Sequence, residues 1–260
     1  MKHAVLLALI AAMRAKGAVR LVETHAGAGL YDLRGELARR TDEAEAGVGR
    51  LMAASEALPW PLEALRQAVA RENAAEGGLR WYPGSPLVAL GALEARDGYL
   101  GCELRPDDFE TLRVLLAERA RGRRTEAVQA DGYAALKGRL FGGELVLIDP
   151  PFERDDDYEQ AADAVGRCLA RRAAVAVWAP IKDLETLDAL VRRIEAFSPT
   201  RLLVAETRLR RLTNPMRLNG SAMLLIDTPD VAAEAEAVCA WTAARCGEAD
   251  GRGGVAILES

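Results

Sequence analysis

An α/β domain with a mostly parallel sheet is predicted by three observations. Short runs rich in Val, Ile and Leu alternate with segments of helical period, the pattern of βαβ units. Residues of unusual type, acidic or Gly-rich, stand where several of those runs end on their carboxyl side, where ligands bind in such sheets. One stretch, residues 36–78, breaks the alternation and shows helical period with no obvious strand. The 260 residues, 50% of them hydrophobic, suffice for one large core plus an insertion.

The elements follow in order. Met1-Lys2-His3 precedes an apolar run from Ala4 to Met13 that superficially resembles a signal peptide. The run is too short to span a bilayer and ends in Arg14 and Lys16 without a convincing cleavage site. Val5, Leu6, Leu9, Ile10 and Met13 recur at helical spacing, which predicts a core helix. A strand over Val19–Glu23 leads to a Gly-rich turn. Residues 36–78 read as two or three helices, with Pro59 and Pro61 in a connection and Gly77-Gly78 at the end, giving a helical insertion at 36–78 within a domain formed by 1–35 and 79–260. Further strands are expected at Tyr99–Leu104, Thr125–Gln129, Glu144–Ile148, Ala173–Trp178, Leu202–Glu206 and Ala222–Asp227, with a last short one at Val255–Leu258. Helices fill Pro106–Arg121, Asp157–Arg171, Lys182–Phe197 and Val231–Arg245.

Composition narrows the functional classes. The net charge of −5 is unlike that of a non-specific nucleic-acid binder, so any such contact rests on a local basic patch. Cys102, Cys168, Cys239 and Cys246 include no C-x-x-C pair, and there are two histidines, so no metal site is expected. Scattered cysteines fit buried thiols in a cytoplasmic protein.

The most informative motif is Asp149-Pro150-Pro151-Phe152, directly after the apolar run Leu145–Ile148. Asp149 can accept a hydrogen bond from an exocyclic amine. Pro150 brings no N–H of its own, and its carbonyl is a second acceptor. Phe152 offers a face on which a base can stack. The plain alternative is an Asp-Pro turn closing a strand. Thr24-His25-Ala26-Gly27-Ala28-Gly29 follows the first strand; its spacing is not G-x-G-x-x-G and it lacks a P-loop lysine, so neither dinucleotide binding nor ATP hydrolysis is favoured. Glu103 ends the second main strand, where an acid can accept both ribose hydroxyls of a nucleoside cofactor. Asp131-Gly132 follows the next strand: Asp131 can accept from an adenine amino group, or the pair can form a simple turn. Trp81-Tyr82-Pro83-Gly84-Ser85-Pro86 reads as a composed loop in which Ser85 caps the following helix or touches a ligand. His3 and His25 both fall at these elements.

Asp149–Phe152 resembles the D-P-P-F/Y signature of methyltransferases that modify a nucleobase amino group. Together with Lys2-His3, Thr24–Gly29, Leu79–Pro86, Glu103-Leu104, Ala130–Gly132 and Asn219-Gly220-Ser221, it makes the chain similar to the bacterial 23S ribosomal RNA adenine-N6 methyltransferases of the RlmJ type. The resemblance spans nearly the whole chain. It implies a Rossmann-like methyltransferase fold with a mostly parallel seven-stranded sheet flanked by helices and a small helical insertion. It implies S-adenosylmethionine as cofactor, held by His3, His25, Ser85, Glu103, Asp131 and Gly132, and Asp149 as the catalytic acid/base. The expected partner is 23S ribosomal RNA, met by a cytoplasmic monomer with no membrane association. Members of that family carry, before the Lys-His that stands here as Lys2-His3, a further arm rich in His, Asn and aromatic residues, and the resemblance does not include it. Glu23 stands where Asp is usual, and Asp227-Thr228-Pro229 replaces an Asn-Pro-Pro segment.

Substrate contacts are expected from Pro150 and Phe152 and from the arginines of Glu206–Gly220, namely Arg208, Arg210, Arg211 and Arg217, on a mobile loop suited to phosphates. Arg119, Arg121, Arg123 and Arg124 read as a solvated face. Asp155-Asp156-Asp157 reads as a helix start, where the dipole favours carboxylates, rather than a metal site. A DNA adenine or other nucleic-acid amino methyltransferase is the competing enzyme reading. A non-catalytic RNA-binding protein that retains the fold is a reading of a different class.

Overall fold

A computed structural model describes residues 1–35, 45–154, 156–214 and 218–258. The chain opens with α1 (Lys2–Arg14), whose residues His3 to Ile10 are all buried. A segment apolar on every side belongs inside a core, and that is where it lies. β1 (Arg20–Glu23) follows, then the glycine turn and β2 (Leu30–Asp32). A π-helical turn Glu45–Gly49, α2 (Arg50–Ala53) and α3 (Trp60–Glu72) supply the helical stretch expected at 36–78, of which 36–44 lies outside the described residues. α3 packs against α1. β3 (Trp81–Pro83) then pairs antiparallel with β2, Leu30 opposite Pro83 and Asp32 opposite Trp81.

The rest alternates: α4 (Ser85–Ala92), β4 (Gly98–Glu103), α5 (Pro106–Arg119), β5 (Arg124–Gln129), α6 (Gly132–Ala135), β6 (Leu145–Ile148), α7 (Asp157–Leu169), β7 (Ala174–Ile181), α8 (Leu184–Glu195), β8 (Leu202–Arg208), β9 (Gly220–Ile226), α9 (Ala232–Cys246) and β10 (Arg252–Leu258). Eight strands form the main sheet in the order β10-β8-β9-β7-β6-β1-β4-β5. β7, β6, β1, β4 and β5 are mutually parallel, β9 lies antiparallel between β7 and β8, and β10 runs antiparallel along β8. The seven strands that the resemblance implies are thus joined by an eighth, β10, at the last short strand read from the sequence. β10 lengthens to seven residues because pairing with β8 recruits Arg252, Gly253 and Gly254, which carry no strand signal of their own.

Both faces of the sheet are covered, which is why β6 is apolar at every position. Alternate residues feed two cores. Leu21, Tyr99, Leu145, Leu147, Ala174 and Ala176 pack with α1, α4, α5 and α9. Val22, Leu100, Val146, Ile148, Val175 and Val177 face α7 and α8. The chain runs from β1 to β4 and β5 on one side and from β6 to β7 on the other, so the strand order reverses beside β1. A crevice opens there at the strands' carboxyl ends.

Two sequence expectations change. Trp81–Pro86 is not a loop: Trp81–Pro83 is a strand, and Ser85 begins a helix whose capping position is Gly84. Among the described residues no helix is long and apolar enough to cross a membrane.

If α1 is a core element, Leu9→Ala, at a side chain 0% exposed, will lower the unfolding free energy by about 2–5 kcal/mol. Urea denaturation measures this. A loss below about 1 kcal/mol would contradict the placement.

Candidate active site

The crevice at the switch point is a cavity of about 530 Å³, within the ~300–1,000 Å³ range of small-molecule sites. It collects residues from the ends of four adjacent parallel strands and from the first turn of α1. From β1 come Thr24, His25 and Gly27, from β4 Glu103, from β5 Asp131 and Gly132, and from β6 Asp149. Lys2 and His3 enter from α1, and Tyr82 and Ser85 from the β3–α4 segment. Every cofactor residue inferred from sequence, His3, His25, Ser85, Glu103, Asp131 and Gly132, lines this cavity together with Asp149.

Backbone hydrogen bonds fix the loops that make the walls. Thr24 N–H donates to Leu147 O (3.0 Å), which extends the β1–β6 pairing, and Ala26 N–H donates to Cys102 O (2.9 Å). Gly27 N–H donates to Glu103 Oε2 (2.9 Å), so the glycine turn hangs on the carboxylate that ends β4. Gly27 has φ +63, and a Cβ there would lie 2.1 Å from the Tyr31 hydroxyl. Gly132 is required for a second close approach, because a Cβ would lie 1.8 Å from Thr24 O.

The polar groups keep capacity to bind. Glu103 accepts from Gly27 N–H through Oε2 and from Arg105 N–H through Oε1, which leaves two of about four lone-pair sites. Asp131 caps α6, accepting Tyr133 N–H (2.9 Å) and Ala134 N–H (3.1 Å) at Oδ1, and Oδ2 has no partner among the described residues. His3 Nδ1 shares a 2.8 Å hydrogen bond with the Tyr82 hydroxyl and stacks on that ring. Burial, then the positive charge of Lys2, hold His3 well below the ordinary histidine value, so it is neutral. His25 bonds Thr24 Oγ1 (2.9 Å) and meets the Tyr133 ring edge-on, and burial lowers its pKa too.

Asp149 is the most constrained group. Its side chain is 13% exposed, and burial raises its pKa from the ordinary carboxylate value, against the opposing pull of Lys2. The Lys2 ammonium forms an ion pair with Asp149 Oδ2 and lies 5.3 Å from the Trp178 ring centroid. The sequence pointed to Lys2 only as the neighbour of His3. Its partner stands 147 positions away, so no local pattern assigns it. The Pro150 carbonyl accepts no hydrogen bond among the described residues, though Pro151 rather than Pro150 lines the cavity.

Several expected substrate contacts are not where the sequence suggested. Phe152 is 4% exposed and turned away from the cavity, with its ring against Tyr158 (4.5 Å) and Trp178 (6.1 Å). Its backbone sits at φ +52, a conformation costly for a bulky residue and found at sites under constraint. Arg208, Arg210 and Arg211 pair with Glu206, Glu248 and Asp250 and take no part in the cavity wall. Their charges are matched by carboxylates brought in largely by the β10 end of the fold. Arg217 lies outside the described residues. Ser85 does not cap α4: its hydroxyl donates to Glu23 Oε2 (2.7 Å). Asp157 opens α7 and accepts Arg154 N–H (3.0 Å), a helix-start role as expected for this acidic run, of which Asp155 is not described.

Comparison with known proteins adds to this geometry. The model of a family described as "Ribosomal RNA large subunit methyltransferase D, RlmJ" matches residues 16–257. The chain is 32% identical over 235 residues to Ribosomal RNA large subunit methyltransferase J of Escherichia coli, covering 88% of this chain and 82% of that protein. It is 29% identical over 236 residues to the Haemophilus influenzae protein of the same name, with the same coverage. In structure it is similar to protein LPL1258 of Legionella pneumophila, with a TM-score of 0.88 and 23% identity, covering 100% of this chain and 95% of that one, a likeness of fold.

Glu23 is buried at the end of β1. Burial first, and then the charge of Asp149, raise its pKa from 4.5 to about 8, against the hydrogen bond from Ser85. A carboxyl whose folded pKa is raised contributes fully below its unfolded value, and that contribution is lost as pH climbs through about 8. Glu23→Gln is therefore expected to match the wild type in urea unfolding near pH 4, below the unfolded value of 4.5. Near pH 9 it should be the more stable protein by on the order of a few kcal/mol, because each tenfold change in proton affinity is worth about 1.4 kcal/mol. An identical pH profile for both proteins would rule this out.

Proposed function

The chain belongs to the RlmJ family of large-subunit ribosomal RNA methyltransferases, and on that premise we propose that it methylates the N6 amino group of an adenine in 23S ribosomal RNA with S-adenosylmethionine as donor. The observation that carries this reading is the position of Asp149. It stands at the carboxyl end of β6, in one cavity with Glu103 and Asp131, with its charge held by Lys2 and the neighbouring Pro150 carbonyl free.

The donor set suits a cationic nucleoside. Glu103 has lone pairs to spare for ribose hydroxyls, Asp131 Oδ2 for an adenine amino group, and His3, His25, Ser85 and Gly132 form the surrounding wall. S-adenosylmethionine, when bound, supplies a methyl carbon made electrophilic by its sulfonium.

The chain's own residues do the rest. A target adenine reacts only when unstacked, so it enters the mouth flipped out or already unpaired. Its amino lone pair is delocalised into the ring. Acceptance of the two amino hydrogens by Asp149 and the Pro150 carbonyl favours a geometry in which the lone pair is turned toward the methyl carbon, and positioning of this kind supplies much of the rate. As the amino group arrives it competes with Lys2 for Asp149. Asp149 then takes the proton during or after transfer, a role its raised pKa favours. Phe152 reaches a base only if its ring leaves the Tyr158–Trp178 pocket. The reaction puts the protein in the cytoplasm, where ribosomal RNA is available.

The test is transfer of a labelled methyl group from S-adenosylmethionine to protein-free 23S ribosomal RNA, with DNA as competitor. Asp149→Ala and Asp149→Asn are expected to lose at least about 100-fold in kcat, the scale of a lost acid/base residue, with cofactor affinity changed by less than about threefold. Retained turnover would reject Asp149 as the reacting acid, and label on DNA rather than RNA would reject the substrate.

A further inference from the structure

At the opposite end of the sheet, below the amino ends of β1, β4 and β5, lies a second groove of about 700 Å³. Its walls carry Arg20, Arg96, Arg123 and Arg124, one carboxylate, Glu126, and the ring of Phe141. Register sets two of these positions about Gly98, which also lines the groove. Arg20 pairs with Gly98 and Gly98 with Arg124, so two arginines flank a residue with no side chain across three adjacent strands. At about 4.8 Å per strand the two Cα atoms stand about 10 Å apart, with the glycine as an open floor between them.

The charge of this groove is largely uncompensated. Arg96 and Arg124 are exposed, and their side chains have no ion pair or hydrogen bond among the described residues. Arg123 is held by carbonyls, donating to Leu93 O (2.7 Å) and Ala120 O (3.2 Å), which fixes its position without neutralising it. Arg20 reaches the buried Glu144 (3.3 Å), and Glu126 is taken by Arg139 (2.8 Å). Asp97, next to Arg96, answers part of that charge at a distance, but it is 0% exposed and bound by Arg14 and the N–H groups of Val19 and Glu94. A chain of net charge −5 has therefore gathered arginine on one face. Of the arginines singled out in the sequence elsewhere, Arg119 pairs with Glu72, and Arg208, Arg210 and Arg211 have acidic partners. Phe141 supplies an independent second feature. It is 80% exposed, and the Arg20 guanidinium lies 5.3 Å from its ring centroid, so an aromatic face is presented to solvent beside the cations.

We propose that this groove is a second RNA-holding surface, in which the arginines contact the phosphates of the substrate's flanking region and Phe141 stacks on an unpaired base. The inference rests on the RNA-methylating reading above and assigns part of the recognition to a face remote from the chemistry. β4, six residues from Gly98 to Glu103, separates groove and cavity by about 17–20 Å. That span is short against a folded RNA, and the path runs round β5, the open edge of the sheet. The groove governs how tightly long RNA binds and leaves the transfer step alone.

The experiment compares the full chain with Arg96→Glu/Arg124→Glu and with Phe141→Ala, using a 23S ribosomal RNA transcript as the probe for both equilibrium binding and methyl transfer. The charge-reversed variant is expected to weaken transcript binding and raise KM by at least about 10-fold, with kcat within about twofold of wild type, and to lower the slope of log K against log salt by about 1 to 2. Phe141→Ala should raise KM by several fold. Unchanged thermal melting and S-adenosylmethionine affinity establish that both variants are folded. If the wild type methylates the transcript and both variants match it in KM, binding and salt slope, the groove proposal is overturned. If the wild type transfers no methyl group, the functional reading fails, and the binding arm still decides the groove. Variants that bind naked transcript normally but fail on ribosomal particles would mark a protein partner and also overturn it.

Discussion

A charged carboxylate held almost out of water is the constraint on which this structure turns. Asp149 follows a strand apolar at every position, and burial opposes its charge. Lys2 answers that penalty from the other end of the sequence. Removing one partner of a pair this enclosed leaves the other charge without its counter-ion, at a cost that grows with burial. The first turn of α1 is therefore tied to the end of β6 by charge as well as by the apolar burial of the residues that follow it. The same pair keeps Asp149 ionised and ready to accept, and it can open when a better-placed donor arrives.

Around that pair the chain converts regular structure into a binding wall. Parallel strands end at one level, and each contributes a residue there: Thr24, Glu103, Asp131 and Asp149. The wall holds because the loops are bonded to one another, Gly27 to Glu103 and Thr24 to Leu147, and because Gly132 has no side chain to push against Thr24. The cavity thus inherits the rigidity of the sheet, which suits chemistry that depends on position more than on strong acid or base groups.

Much of this was legible in the sequence. Strands buried on both faces read as apolar runs, and the acidic residues at their ends stand out because so little else there is polar. What was hidden depended on distant partners. Trp81–Pro83 pairs with a three-residue strand that has no signal alone, and its aromatic-Pro-Gly composition reads as loop. Phe152 looked available to a base until Tyr158 and Trp178 claimed its ring. Arg210 and Arg211 looked free to meet phosphates until the fold brought Glu248 and Asp250 beside them. Arg124 reads in the sequence as part of a solvated face, and only the strand register sets it across Gly98 from Arg20.

The state of Asp149 is decisive for this site. Titration of its carboxyl carbon by NMR, in the wild type and in Lys2→Met, tests that state directly. A pKa above the ordinary aspartate value is expected in the wild type and a further rise in the variant, since burial would then act without the ammonium that opposes it. An ordinary aspartate titration that is unmoved by the loss of Lys2 would contradict that expectation.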